Sequence, residues 1–267
     1  MTNLRNRCGF RLLPLLVVIA GPGFPQAQHL SAEKIIANSV LANQRDFQAA
    51  VHYNWKERDR TSKGSKTSQV MMIDGSPYYR VLAVNGKPLS PAEQAKEKKK
   101  EQEAAAERAA ESPEQRRKRI EQFEKDRHRD AEMMAQLTKA FTFTLIGQQK
   151  LRGFNVWALK ATPCKDYRPP TMETEVLTGM RGQLWIDQKT FQWVKVMAEV
   201  VHPVSIGGFL AEVQPGTRFE LEKAPVGDGI WLASHFAMKS DAKVLHVFSH
   251  GSEEEDTFFD YQKSTGK

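Results

Sequence analysis

Apolar and polar side chains alternate along much of this chain, and a period of two is typical of half-buried β-strands. A long run of this kind extends from Phe47 to Trp55, where every odd-numbered position is apolar. Turn dipeptides such as Asn85-Gly86 close the apolar runs at short intervals. We therefore predict about ten strands joined mainly by hairpins, which favours an antiparallel sheet over β-α-β units. The predicted strands are 47–56, 67–73, 78–84, 141–145, 154–161, 182–187, 191–201, 218–223, 230–240, 242–249 and 257–262.

A helical pattern precedes the strands. Ser31 is a good N-cap for a helix over 32–44, in which Ile35, Ile36 and Val40 fall on one face. The same Ser31 and Lys34 match a Ser-x-x-Lys nucleophile pattern, but the companion motifs of those enzymes are missing. We therefore assign Ser31 to capping.

A second helical region interrupts the strands. Ser90-Pro91 and Ser112-Pro113 each place a capping serine before a proline, which suits the first turn of a helix. We predict two helices, over 91–111 and 113–138. The first carries no apolar side chain larger than alanine and should be solvated, whereas the second has a narrow apolar stripe whose latter half should pack on the sheet.

These patterns predict an α+β protein, mainly antiparallel β, with a single sheet domain formed by residues 29–90 and 139–267. The charged helical pair, residues 91–138, is an insertion in that domain. The sheet must curl around something to bury its apolar face.

The first residues have the pattern of a secretory signal. Arg5, Arg7 and Arg11 precede an apolar run of roughly nine residues that ends at Ala20. A spanning helix needs about 20 apolar residues, so a transmembrane segment is disfavoured. A buried N-terminal helix is the alternative interpretation. We predict a signal peptide over 1–28, cleaved after Ala20 or near Ala27, and an exported, periplasmic protein that is not transmembrane after cleavage.

Charge first suggests a different function. The chain has 39 Lys and Arg against 32 Asp and Glu, a net +7, which is typical of nucleic-acid or anionic-membrane binding. Between Glu93 and Glu132, however, twelve basic residues are matched by twelve acidic ones. Because a phosphate-binding arm needs a positive excess, we predict no nucleic-acid partner. The charged helices are better explained by exposed ion pairs.

Candidate chemistry is sparse. His246 and His250 are four residues apart on a predicted strand, roughly 13 Å, which is too far for one metal ion, although His235 on the preceding strand could approach His246. Removal of the signal would leave Cys164 as a single cysteine with no recognisable catalytic partner. The acidic run 253–256 is expected to form a solvated turn. We predict no metal, no cofactor and no catalysis; a hydrolase with spatially paired acid and base groups is a third alternative.

Apolar and aromatic side chains on the predicted inward faces are the remaining candidates for a site. They form either an ordinary filled core or the wall of a cavity for an apolar ligand. The candidate ligand-binding residues are Phe47, Val51, Tyr53, Trp55, Phe141, Phe143, Leu145, Val194, Val196, Phe219, Leu221 and Phe236.

One segment resembles a known family. A Gly-Gln-Leu-Trp-Ile-Asp strand, residues 182–187, feeds a long strand over 191–201 and follows an N-terminal helix and hairpin strands. This order is similar to the outer-membrane lipoprotein-sorting superfamily, the LolA/LolB-like proteins, over roughly 30–90 and 140–262. The resemblance implies a strongly curved, open half-barrel with covering helices. It also implies non-catalytic binding of lipid acyl chains, as a carrier or a sensor. The charged pair is outside the usual family pattern.

Two functions follow as hypotheses. The first is a periplasmic protein that binds a lipid or lipoprotein acyl chain in the concave face of the sheet. The second is a regulatory or interaction module, in which 91–138 binds a periplasmic or membrane protein and the sheet is the scaffold.

Overall fold

The structure is a computed structural model and describes residues 30–206, 211–244 and 248–264. The predicted signal segment and His246 lie outside these ranges. The α-helices of the described residues are α1 (Ala32–Ala49), α2 (Pro91–Ala109) and α3 (Pro113–Ala140), with 3-10 turns at Ala50–His52 and Glu173–Gly179. The strands are β1 (Tyr53–Thr61), β2 (Gly64–Ile73), β3 (Ser76–Val84), β4 (Lys87–Pro88), β5 (Phe141–Leu151), β6 (Phe154–Pro163), β7 (Met180–Asp187), β8 (Trp193–Val200), β9 (Val204–Ile206), β10 (Ala211–Val213), β11 (Arg218–Gly227), β12 (Ile230–Val244) and β13 (Phe248–Lys263).

All strands join one 13-stranded sheet in the order β4-β3-β2-β1-β13-β12-β11-β8-β7-β6-β5, with β9 and β10 attached beside β12. The pairings are antiparallel, as the hairpin pattern predicts. Among the described residues, no pairing joins the edge strands β4 and β5, so the curved sheet stays open. The predicted fold class, α+β with a mainly antiparallel open sheet, covering helices and an inserted helical pair, is confirmed.

The helical pair connects the two edges of this sheet, because α2 follows β4 and α3 leads directly into β5. Both predicted serine caps are present: Ser90 accepts a hydrogen bond from the Glu93 N–H, and Ser112 accepts one from the Gln115 N–H. The latter half of α3 packs on the molecule as predicted and buries Gln136 and Ala140. No described helix is long and apolar enough to cross a membrane.

The predicted strand over 47–52 is wrong, since α1 continues to Ala49 and a 3-10 turn carries the chain to His52. The buried stripe of α1 continues from Ile35 through Ser39 and Asn43 to Asp46 at helical spacing. Most of this stripe is polar, so a hydrophobic pattern does not reveal it. Contacts with the sheet extend the helix beyond its predicted end.

The prediction of a turn at 253–256 and of a separate strand over 242–249 is also wrong. β12 runs through 240–242 without a break, and the acidic run lies inside β13. Alternation within a strand sends Glu253 and Glu255 to one face and Glu254 and Asp256 to the other. Four consecutive acids can therefore belong to a strand, because only half of them share a face.

Candidate functional site

A cavity of about 290 Å³ lies between the helices and one face of the sheet. We call this face the helix-covered face. α1 and α3 supply one wall, and β1, β8, β11, β12 and β13 supply the other. The lining residues are Asn43, Asp46, Phe47, Ala50, Trp55, Met134, Trp193, Leu221, Lys223, Leu232, Ala233, Phe258 and Tyr261.

Aromatic side chains make the sheet wall of the cavity rigid. Trp55 stacks on Tyr261 with ring centroids 6.2 Å apart, and Tyr53 meets the same ring edge-on at 6.4 Å. The Tyr261 hydroxyl donates a hydrogen bond to the Ala233 carbonyl over 2.8 Å. Burial raises the pKa of Tyr261, so this hydroxyl keeps its proton and the bond at neutral pH.

The helical wall is fixed by a contact between α3 and α1. The guanidinium carbon of Arg127 lies 4.4 Å from the centroid of the Phe47 ring, and its Nη2 donates to the Phe47 carbonyl over 3.2 Å. This cation–π contact places Phe47 over the cavity. Met134, further along α3, completes the wall.

A polar cluster at one end of the cavity ties α1 to the sheet. Asp46 is fully buried, and its carboxylate accepts a hydrogen bond from the Trp231 N–H over 2.8 Å and others from Arg45. Lys223 Nζ donates to Asn43 Oδ1 over 2.7 Å and lies 3.9 Å from Asp46 Oδ2. Burial lowers the pKa of Lys223 to about 8.

Carboxylates occupy the next part of the same face. In register, Glu57 lies opposite Phe258, Asp59 opposite Asp256, and Thr61 opposite Glu254, and paired residues of antiparallel strands share a face. Phe258 lines the cavity, so Glu57, Asp59, Glu254 and Asp256 form an acidic cluster beside it.

Few nearby groups offset the negative charge of the acidic cluster. Asp256 Oδ1 is buried and has no hydrogen-bond partner among the described residues. Burial raises the pKa of Asp256 to about 7, and the negative charge of the three other carboxylates adds to the effect. Burial likewise raises the pKa of Glu57, although Trp55 Nε1 donates to its Oε2 over 3.2 Å.

The structure distributes the twelve candidate ligand-binding residues unevenly. Phe47, Trp55 and Leu221 line the cavity. Tyr53 is buried directly behind Tyr261, and Val51 lies in the 3-10 turn.

Five of the candidates share the helix-covered face at more distant positions. Val196 and Phe236 flank Leu221 on the neighbouring strands, and Phe219 lies two residues further along β11. Phe143 and Leu145 belong to edge strand β5, opposite Ala161 and Leu159.

The last two candidates lie elsewhere in the structure. Phe141 begins the same edge strand and is buried. Val194 packs in a separate buried cluster with Val156 and Trp231. A register shift beside Trp193 breaks the alternation that would have placed Val194 with Val196.

Sequence reasoning missed Lys223, Met134 and the β13 aromatics. Lys223 carried a usable signal, because it stands two residues after Leu221 and so shares the apolar parity of β11. Phe258 and Tyr261 of β13 both line the cavity although they are three residues apart. A bulge around Asp260, whose φ is +53°, interrupts the alternation of side chains between them.

A larger groove of about 1050 Å³ crosses strands β1, β6, β7, β8, β11, β12 and β13, and its lining includes His235 and Phe219. Basic and acidic side chains are mixed along it, for example Arg218 and Glu199, which form an ion pair. In the described part of the chain, no three His, Cys, Asp or Glu side chains are arranged to hold a metal ion. Cys164 is half-buried, with its Sγ 3.3 Å from Thr142 Oγ1.

No protein-family model and no curated protein matches this sequence. Several solved structures match much of the chain at low sequence identity. A putative outer membrane lipoprotein-sorting protein domain from Vibrio parahaemolyticus matches over 87% of this chain and 94% of its own, at 11% identity and a TM-score of 0.33. A LolA superfamily protein from Nitrosomonas europaea matches over 90% and 96%, at 9% identity and a TM-score of 0.33.

The MucA/MucB complex of Pseudomonas aeruginosa also matches, over 86% of this chain and 100% of that one, at 10% identity and a TM-score of 0.24. Two of these structures bear the name of the family that the sequence resembles. All three matches have low identity and low TM-scores. The functional argument below rests on the cavity of this chain.

Proposed function

We propose that this protein binds one lipid or lipoprotein acyl chain in the cavity between α1 and the sheet, without catalysis, after export to the periplasm. The observation that carries the proposal is the lining of the cavity. Trp55, Leu221 and Phe258 present apolar surface from three strands to one space. Apolar cavities of this kind do not retain water well and favour apolar ligands.

The dimensions of the cavity favour a single chain. Its 290 Å³ is just below the range of typical small-molecule sites, about 300–1,000 Å³. Each methylene moved from water into such a space contributes about 0.8 kcal/mol. One buried chain therefore supplies enough free energy for stable binding, whereas a lipid with several chains would need the helices to move outward.

The helical wall offers such a movement. One contact between α1 and α3 is the Arg127–Phe47 pair, which combines a hydrogen bond with a cation–π contact. Separating the helices would break that contact and expose the cavity from the helical side. We propose that α1 and α3 act together as the cover of the site.

Ala233 gives the sharpest test of this function. Ala233 lies on the helix-covered face opposite Lys223, whereas Ala237 pairs with Glu220 on the other face of the same strand. Ala233→Trp should fill the cavity and abolish uptake of a fluorescent fatty acid, measured by titration. Ala237→Trp is the matched control and should bind normally. Ala233→Met, a smaller filler, should weaken uptake if the tryptophan variant does not fold.

Equal uptake by the wild type and Ala233→Trp would overturn the proposal, as would wild-type protein that takes up no fatty acid. Co-purifying lipid in native mass spectra of protein from an exported source would support it.

A second candidate function is a protein interaction through the helical pair. The observation in its favour is that α2 buries no residue and yet is fixed in place. Arg108 donates from Nη1 to the carbonyls of Ile73 and Ser76, and Arg119 binds both Glu111 and the Ser76 hydroxyl. The β2–β3 turn thereby holds the pair as a rigid, charged, exposed surface.

Deleting 91–138 would not separate the two functions, because Met134 of α3 lines the cavity and Arg127 of α3 holds the lining residue Phe47. Reversing the charges of Lys98, Lys99 and Lys100 on exposed α2 is cleaner. An interaction module should lose its partner in a pull-down and keep fatty-acid uptake. Unchanged capture of the same partner would argue against this second function.

A further inference from the structure

Lys223 is an unusual wall residue for an apolar cavity. Only 11% of its side chain is exposed, and its neighbours in the lining include Leu221, Leu232 and Trp193. Lysine is almost never so deeply buried without a full set of partners, because removing an ammonium from water is costly. Its partners therefore decide whether the charge is already compensated.

The compensation of Lys223 is incomplete. Its Nζ has one close acceptor among the described residues, the neutral Asn43 Oδ1 at 2.7 Å. The nearest carboxylate oxygen, Asp46 Oδ2, is 3.9 Å away and already accepts from the Trp231 N–H at 2.8 Å. An ammonium has three N–H donors, so Lys223 retains donor capacity inside the cavity.

The acidic cluster on the helix-covered face has a charge opposite to that of Lys223. The acidic cluster lies beyond Trp55 and Phe258, on the side of these residues away from the cavity. An anionic head group would be repelled there and attracted to Lys223, whereas the apolar wall between the two regions suits a hydrocarbon chain.

We propose that the ligand of this cavity is a single-chain amphiphile with a carboxylate head group, a long-chain fatty acid, whose carboxylate accepts a hydrogen bond from Lys223 Nζ. The proposal rests on the proposed function and narrows it. The chain lies against Trp55, Leu221 and Phe258, and the position of Lys223 fixes the head group at the Asn43–Asp46 end. A charge-assisted bond in a buried site is stronger than a neutral one, so the head group contributes selectivity.

Two probes with the same chain test the proposal. Palmitate and hexadecanol differ only in the head group, so their relative affinity isolates the carboxylate. In competition with a fluorescent fatty acid, the full-length mature protein should bind palmitate about ten-fold or more tightly than hexadecanol, the size of one charge-assisted hydrogen bond. Lys223→Met should remove this preference and still bind hexadecanol, which also shows that the variant is folded.

A matched control is available on the other face. Lys195 is similarly buried but forms ion pairs with Glu220 and Glu222, away from the cavity. Lys195→Met should keep the palmitate preference, and Lys223→Arg should keep part of it.

The outcomes separate the two proposals. Equal binding of palmitate and hexadecanol by the wild type, or a preference that survives Lys223→Met, overturns the role of Lys223 and leaves acyl-chain binding intact. Binding of neither probe overturns acyl-chain binding itself. A lysophospholipid of the same chain length that outcompetes palmitate would show that a phosphate head group, and not a carboxylate, is preferred, and would also overturn the proposal.

Discussion

The helix-covered face has an apolar part and an acidic part, and the same two strands build both. β1 passes from Trp55 to Glu57 and Asp59, and β13 passes from Phe258 back to Asp256. In the apolar part, α1 and α3 cover aromatic side chains around a cavity. In the acidic part, the carboxylates face one another without an ion pair among the described residues, and Lys66, opposite Asp59, is exposed.

Burial disfavours the charged form at both ends, and this shifts the two pKa values in opposite directions. It lowers the pKa of Lys223 to about 8 and raises the pKa of Asp256 to about 7. Lys223 has a nearby acid and an amide, whereas Asp256 has mainly other acids. At pH 7, Lys223 with its pKa of about 8 is therefore mostly charged, whereas Asp256 with its pKa of about 7 is close to its titration midpoint.

The largest expected effect comes from the charge that supports Lys223. Asp46→Ala removes the acceptor of the Trp231 N–H and leaves Lys223 as a buried cation. Breaking one side of a buried pair typically costs about 3–5 kcal/mol, so we expect that loss in the free energy of unfolding, measured in urea.

Glu121, whose side chain is exposed and pairs with Arg117 one turn earlier on α3, supplies the control. Glu121→Ala should change stability by less than about 0.5 kcal/mol. Similar effects of the two substitutions would show that the polar cluster of α1 does not anchor the helix.

The second effect concerns ligand affinity and pH. Lys223 is charged below its pKa of about 8 and neutral above it. The charged groups that face it are Asp46 and Arg45 of α1, and Tyr261 of β13 keeps its proton. Palmitate affinity should therefore be constant near pH 7 and fall above pH 8, by at most about ten-fold per pH unit. Isothermal titration at several pH values measures this, and hexadecanol affinity should not change.

A third prediction concerns stability at the acidic end. Asp256 holds its proton to about pH 7 in the folded protein but releases it near its ordinary value of 3.8 in the unfolded chain. Because the pKa of Asp256 is higher in the folded protein than in the unfolded chain, the free energy of unfolding falls as the pH rises from about 4 to about 7. It stays lower at higher pH. Asp256→Asn should remove this loss.

Because Asp256 is only partly buried, solvent screening reduces the gain from Asp256→Asn to about 1 kcal/mol at pH 8. Thermal unfolding at pH 5 and pH 8 measures it. Glu255→Gln is the control, since Glu255 pairs with Arg60 on the other face. An Asp256→Asn variant no more stable than the wild type at pH 8 would contradict the assignment.

The smallest effect tests whether the acidic cluster acts as a unit. Glu254→Gln removes one negative neighbour of Asp256 and should lower the pKa of Asp256. Carboxyl-detected NMR titration of Asp256 in both proteins follows this change. An unchanged titration midpoint would mean that burial alone sets the pKa.

Much of the fold was predictable because its determinants are local. The hairpin turns, the alternation of β2 and β3, and the serine-proline starts of α2 and α3 lie within short stretches of sequence. The end of α1 was not predictable, since Asn43 and Asp46 become buried only through contacts with β11 and β12. Strand order is also non-local, and it alone shows that the helical pair joins the two sheet edges.

Part of the lining of the cavity was predictable, but its charged residues were not. Strand periodicity identified Trp55 and Leu221, whereas Phe47 was assigned to a strand and lies near the end of α1. Strand alternation also places Lys223 and Glu57 on the helix-covered face. A search for apolar side chains alone does not include them, because both are charged. Val194 was wrongly included among the candidates. Its spacing from Val196 predicts that the two share a face, but a register shift beside Trp193 turns Val194 to a different cluster.

Native mass spectrometry with palmitate tests the central claim most directly. The cavity under α1 should hold one fatty acid, so the wild type and Ala237→Trp should show a single one-ligand adduct and Ala233→Trp should show none. A wild type without an adduct, or equal adducts in the wild type and Ala233→Trp, would contradict the account.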